Sequence, residues 1–308
     1  MNIGSIYRDL RTERGLTLKD ATTGEISYSQ LSKFERGESS ITIHHLVNLV
    51  HNLGISFSEF IAAIEKFDSP YKLYIEEIDS AYKQGDINAL KMIIQTHEKL
   101  YLETNQVLFR YNAIMTKLLL NDLTEVEIAE ADKEAISDYI LNCSIWTTYE
   151  VILLGNSLRG LTMSLQDLLV YEMVKKLPTL QETDVIKNHL LSILINVCFD
   201  RLRSGRTEEV KDIVAKVQPE LSTNAYYFKN RLLFLDGLIQ MIEGQSDEGL
   251  SKCHKAIQVF ELFDPPFAKM HRDELACYQT IFTISVSQDS QNGERSNSHI
   301  VSSKEPRR

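Results

Sequence analysis

Glycine and proline are scarce, 13 and 6 among 308 residues. A sandwich or barrel turns its chain about every 10 residues and needs turn formers to do it, so the scarcity excludes those architectures and leaves a mostly helical chain. Long hydrophobic runs are missing too. Val151-Ile152-Leu153-Leu154 is among the longest and falls far short of the ~18 residues that cross a bilayer. The N-terminus lacks the basic-then-apolar order of a secretory signal, so the expectation is a cytoplasmic chain with no membrane partner. Cys143, Cys198, Cys253 and Cys277 have no C-x-x-C spacing and all fall in helical patterns, which predicts buried free thiols. Positive charge is not in excess: the net charge is −10, and the first 65 residues hold six basic against eight acidic side chains. That excludes indiscriminate coating of nucleic acid, so any DNA contact must come from local placement. Signatures of catalysis are also missing. There is no G-x-G-x-x-G, G-x-x-x-x-G-K-[ST], H-E-x-x-H or G-x-S-x-G, and the eight histidines form no i, i+4 pair, so no enzyme activity, cofactor or metal site is expected.

What the first 65 residues do contain is dense helix punctuation. Ile3, Ile6, Tyr7 and Leu10 recur at helical spacing and stop at Gly15. Thr17 with Asp20 has the form of a capping box for a short second helix that ends by Gly24. Ser27-Tyr28-Ser29-Gln30 opens a third helix, with Leu31 and Phe34 facing inward and Gly37 closing it. A fourth runs from about Thr42 to Gly54, with His44-His45 at its start in a solvated or phosphate-facing role, and Ser56 with Glu59 caps a fifth carrying Phe60, Ile61 and Ile64. Helices two and three, joined at Gly24, make a helix-turn-helix, whose second helix reads the major groove with its N-terminal residues.

The string Arg11-x-x-x-Gly15-Leu16-Thr17, followed by Ile26-Ser27-x-Ser29-x-Leu31-Ser32-x-Phe34-Glu35-Arg36-Gly37-Glu38-Ser39, resembles the lambda-repressor-like (Xre) helix-turn-helix in the form carried by Rgg/MutR-type regulators. The resemblance implies a five-helix DNA-binding domain over 1–65, with Tyr28, Ser29, Gln30 and Lys33 facing the groove. Gln pairs adenine bidentately, Lys approaches guanine, and Tyr and Ser more often touch phosphate. Thr17, at a helix N-terminus, and Arg8, Arg14 and Arg36 are candidate phosphate contacts, each with a plain solvated role as the alternative. Arg11 and Glu35 are assigned to structure, as an ion pair tying helix three to helix one.

Asp68-Ser69-Pro70 interrupts the pattern, so a linker is expected over 66–70 and helical repeats over 71–286. Gly85-Asp86, Asn121-Asp122, Gly160, Ser204-Gly205 and Gly244-Gln245 punctuate that stretch at roughly the period of paired-helix solenoids. Asp236-Gly237, Gly249-x-x-x-Cys253 and Ala256 look like a tetratricopeptide repeat, with Cys253 where an aromatic is usual. The fold expected is therefore all-α, a helix-turn-helix domain followed by a tetratricopeptide-like solenoid.

Asn112, Asn156, Asn196 and Asn230 sit mid-helix at spacings of 44, 40 and 34. Asn is a poor helix-interior residue, and its recurrence near the repeat period suggests amides that clamp an extended peptide backbone. Hydrogen bonds between helices of the solenoid are the open alternative. Arg159, one turn from Asn156, is a candidate for a peptide carboxylate, with Arg110 and Arg231 behind it; Tyr226, Tyr227 and Phe228 are candidate pocket walls or core. Together the modules resemble the receptors for short signalling peptides that pair a helix-turn-helix with tetratricopeptide repeats. That resemblance implies a homodimer on a near-palindromic promoter site of double-stranded DNA, governed by an imported peptide. A partner protein or small molecule bound by the repeats is the alternative. Residues 287–308, with six serines and only Ile300 and Val301 apolar, are expected to be a disordered tail.

Overall fold

The computed structural model describes residues 3–22, 24, 26–64, 70–181 and 185–279, and every regular element among them is a helix. The expected tail, and the expected linker apart from Pro70, lie outside the described residues. The chain divides into two compact units, Met1–Asp86 and Ile87–Arg308.

The first unit holds α1 (Ile3–Glu13), α2 (Leu18–Ala21), α3 (Tyr28–Glu35), α4 (Ile43–Asn52), α5 (Phe57–Ile64) and α6 (Pro70–Gln84). The sequence caps are formed. Thr17 and Asp20 exchange both hydrogen bonds of a capping box, and Ser56 and Glu59 do the same before α5. Ser27 Oγ accepts the Gln30 N–H at α3, and Thr42 Oγ1 accepts the His45 N–H at α4. Each such cap contributes ~1 kcal/mol. Tyr7, Leu31, Phe34, Leu49, Val50 and Phe60 form the buried core of α1–α5, each burial contributing ~1.5–3 kcal/mol. The Tyr7 hydroxyl donates to the Leu49 carbonyl at 3.2 Å.

α1 crosses α3 at Gly4, where an added Cβ would lie 1.9 Å from the Phe34 carbonyl oxygen. Only glycine permits that approach, and the sequence pattern did not single it out. The same crossing is locked by Arg11, whose Nε and Nη2 donate to the two Glu35 carboxylate oxygens at 2.6 and 2.8 Å, with the residues 7% and 5% exposed. The recognition helix is thereby fixed on α1 before it meets any ligand.

The second unit holds α7 (Ile87–Thr104), α8 (Val107–Thr124), α9 (Glu130–Asn142), α10 (Thr148–Ser157), α11 (Met163–Lys176), α12 (Val185–Arg203), α13 (Thr207–Val217), α14 (Tyr226–Ile242), α15 (Ser246–Phe263) and a last helix, α16, over 265–279. α8 packs on α10, α10 on α12 and α12 on α14, so alternate helices form one continuous layer. α7 and α9 pack on α8, α11 and α13 on α12, and α15 on α14. The α14–α15 hairpin turns at Gly244 with φ 88° and is tightened by Gly237 and Gly249. A Cβ on Gly249 would lie 2.4 Å from the Gly237 carbonyl oxygen, which is the small-residue contact the repeat motif requires.

Two local expectations are corrected. Asn121-Asp122 does not break the chain: α8 runs on to Thr124 and ends at Glu125, a left-handed residue with φ 57°. Not all thiols are buried in helices. Cys198 and Cys253 are, with burial raising both thiols to about 12, but Cys143 caps the end of α9 half-buried and Cys277 is exposed; all four are free.

Candidate functional site

In the first unit, α3 presents Tyr28, Ser29, Gln30 and Lys33 to solvent, with Tyr28 66% exposed, while Leu31, Phe34 and Glu35 face inward. Burial divides the helix as the 3.6 period requires, so one capped and pinned face carries the four predicted readers. Lys33 is exposed, with the Glu38 carboxylate near enough to feel its charge. The flanking candidates differ. Arg36 is held by Glu38 at 2.6 and 2.7 Å, Arg14 donates to the Leu10 carbonyl at 3.1 Å, and Arg8 is exposed. Thr17 has spent its hydroxyl and amide on the Asp20 carboxylate, which lies at the N-terminus where a phosphate would bind. The hydrogen bonds from Thr17 lower the Asp20 pKa, so that carboxylate stays charged near neutral pH and opposes an incoming anion.

In the second unit, the four recurring asparagines fall on α8, α10, α12 and α14, the successive helices of a single layer. Their environments split. Asn112 is buried, its Nδ2 lies 3.4 Å from His97 Nδ1, and its Oδ1 accepts from the Tyr149 hydroxyl at 3.3 Å. Asn230 is buried and donates to the Ala256 carbonyl at 2.9 Å, tying α14 to α15. Those two amides are occupied by inter-helix bonds. Asn156 is half-buried, with a weak contact from Nδ2 to Met115 Sδ at 3.7 Å, and Asn196 is exposed, its Oδ1 accepting from Arg231 Nη2 at 2.7 Å. Arg159 is exposed in the 3-10 turn that follows α10, reaching Asp200 at 3.2 Å and Asp122 at 3.9 Å. Arg110 is half-buried on α8.

Arg159, Asn196, Phe199, Asp200, Arg203, Arg231, Met270, His271 and Glu274 line one cavity of about 110 Å³. Sequence reasoning missed Asp200, one turn beyond Asn196, and the contribution of α16, which lies beyond the last recognisable repeat. Tyr227, exposed on α14, packs its ring against Phe228, Phe260 and Phe267, while Tyr226 is exposed and Phe228 buried. Two larger clefts, of about 600 and 430 Å³, lie against α11–α13 and α7–α8. Cations in these clefts are paired with carboxylates of the same clefts, Arg206 with Asp167 and Lys117 with Glu98 and Asp132.

Residues 90–269 match the family described as HTH-type transcriptional regulator Rgg, C-terminal domain, and residues 8–60 match the family Helix-turn-helix. Among solved structures, the chain is similar to the SHP pheromone receptor Rgg2 of Streptococcus dysgalactiae, at 23% identity and TM-score 0.74 over 89% of this chain and 99% of that one. It is similar to a Listeria monocytogenes protein at 20% identity and TM-score 0.80, over 92% and 98%. The PrgX/cCF10 complex matches at 16% identity and TM-score 0.72, over 91% and 92%. The Rgg match spans more than half of the chain and coincides with the asparagine-bearing layer, and the helix-turn-helix match coincides with the unit that exposes Gln30 and Lys33: the chain belongs to the Rgg family of helix-turn-helix transcriptional regulators.

Proposed function

We propose that this regulator is a cytoplasmic receptor for a short signalling peptide, which binds along the α8, α10, α12, α14 layer and alters the occupancy of a promoter element. Its DNA-binding part is 1–65 and its receptor part 71–286, and it performs no catalytic step. The observation that carries the reading is that Asn156 near the end of α10, Arg159 in the turn just after it and Asn196 on the adjacent α12 are half-buried or exposed along one layer. An extended peptide presents alternating N–H and C=O groups, and amides held at helix spacing meet both. Asn112 and Asn230 support the layer rather than the ligand, and Tyr227 supplies an apolar wall. The description of the Streptococcus dysgalactiae relative as a pheromone receptor and the crystallisation of PrgX with cCF10 support the same ligand class.

On the DNA side, Gln30 and Lys33 read bases, Tyr28 and Ser29 steady the helix on phosphate, and Arg14, Thr17 and Arg36 border the contact. One α3 offers few base contacts, so a homodimer on near-palindromic half-sites about 34 Å apart is the economical arrangement. The test is calorimetric titration of the full chain with synthetic peptides encoded beside its gene, alongside gel shifts on the neighbouring promoter. Binding of one such peptide with a changed promoter shift is expected. Promoter binding with no response to any of the peptides would remove the receptor reading.

A further inference from the structure

Four cationic side chains are buried among the described residues: Arg11, Lys187, Arg201 and Arg231. Three of them meet carboxylates. Arg11 pairs with Glu35, Lys187 with Glu220 at 2.9 Å, and Arg201 with Asp167 and Glu209 at 2.6 and 2.9 Å. Arg231, only 3% exposed, pairs with no carboxylate among the described residues. Its Nη2 donates to the neutral Asn196 amide oxygen at 2.7 Å and its side chain is also hydrogen-bonded to the uncharged Tyr227, its Nε has no partner among the described residues, and its guanidinium lies 5.6 to 5.8 Å from the ring centres of Phe199, Tyr227 and Phe267. Acids are close at hand, yet Asp200 and Glu274 are spent on the exposed Arg159 and Arg203.

An arginine cannot shed its proton to escape such a site, and an uncompensated buried charge is costly even with ring faces to offset part of it. Burial draws the Arg231 pKa down, the physical mark of that cost. Beside it His271, 1% exposed, lies with Nδ1 2.9 Å from the Phe267 carbonyl, so Nδ1 carries the hydrogen and Nε2 is an acceptor without a partner among the described residues. Both side chains line the cavity of about 110 Å³ described above.

We infer that Arg231 is the receptor for a ligand carboxylate, with neutral His271 accepting an adjacent N–H, so that the ligand supplies the counter-ion this cavity lacks. The inference rests on the peptide reading and narrows it: the peptide enters past Asn196 and Tyr227 with an acidic group leading. That group is its C-terminal carboxylate or an Asp or Glu side chain, and in either case the neighbouring peptide N–H meets His271.

The test uses thermal melting of the full chain. The probes are N-acetyl-leucine, its uncharged amide, and N-acetyl-aspartic acid α-amide, whose only acid is on the side chain, each at millimolar concentration. At least one acid is expected to raise the melting temperature dose-dependently by ~2 °C or more while the uncharged amide does not, and the more effective acid identifies the source. Arg231→Met is expected to melt higher than wild type without ligand and to lose the acid response. Equal effects of acids and amide on the wild type overturn the inference without any variant, and so does an Arg231→Met protein that melts lower than wild type. A peptide that binds wild type and Arg231→Met equally would remove the carboxylate site and leave the peptide reading standing. Acid stabilisation with no peptide binding at all would do the reverse.

Discussion

The two units differ in one buried arginine each, although Lys187 and Arg201 of the second unit are paired with carboxylates as Arg11 is in the first. In the first, Arg11 and Glu35 satisfy one another with two parallel hydrogen bonds, and helices α2 to α5 have side-chain caps. In the second, Arg231 and the Nε2 of His271 are left short of partners while nearby acids serve the surface. A reading head that must present fixed side chains to DNA gains from a closed network. A receptor gains from polar groups that a ligand completes, and pays for them in unliganded stability.

The largest expected effect breaks the closed side of that contrast. Glu35→Ala leaves the buried Arg11 without a counter-charge, holding only the Leu16 carbonyl, which costs ~3–5 kcal/mol, and melting of the full chain should show an earlier transition of the first unit together with weaker binding to every DNA sequence alike. Normal melting with an altered base preference would instead make Glu35 a reader. Next come the asparagines. Asn230→Ala removes a bond to the Ala256 carbonyl and should lower stability by ~1–3 kcal/mol, measured by denaturant titration, while sparing ligand affinity in molecules that fold. On α3, Gln30→Ala or Lys33→Ala should each relax one position of the half-site by ~1–3 kcal/mol of discrimination, read from binding to single-base operator variants.

The smallest effect is a pH dependence of the repeats. Burial lowers the pKa of His97 and of His271, so the folded state favours their neutral forms. Their contribution to stability is complete above the unfolded value of about 6.5 and is lost as the pH falls from there through the depressed folded values. Melting of the second unit between pH 7 and 5 should therefore fall, and His97→Phe should flatten the slope.

The sequence located the first unit's elements closely because caps and turns are local: Thr17, Ser27, Thr42 and Ser56 each act within three residues of themselves. Gly4 escaped notice, since its importance lies in the Phe34 carbonyl it meets across the core. In the repeats, spacing alone put all four asparagines on one layer. It did not separate Asn112 and Asn230 from Asn156 and Asn196, because that depends on how far each helix is rotated against its neighbour, which degenerate repeats do not encode locally. The same holds for Arg159. Its place one turn after Asn156 favours it as the carboxylate partner, yet it already meets Asp122 and Asp200, whereas Arg231 meets no acid among the described residues.

Asn156→Ala is the most direct probe of the ligand face, because its side chain gives up only a weak contact with Met115. The decisive measurement is the dissociation constant of a peptide that binds wild type, paired with the unliganded melting temperature of the same variant. A roughly ten-fold or greater loss of affinity with nearly unchanged melting is predicted, since an unpaired peptide group costs ~1–3 kcal/mol. An Asn156→Ala protein that melts earlier yet binds the peptide as tightly as wild type would make that asparagine part of the scaffold and contradict the receptor face proposed for this layer.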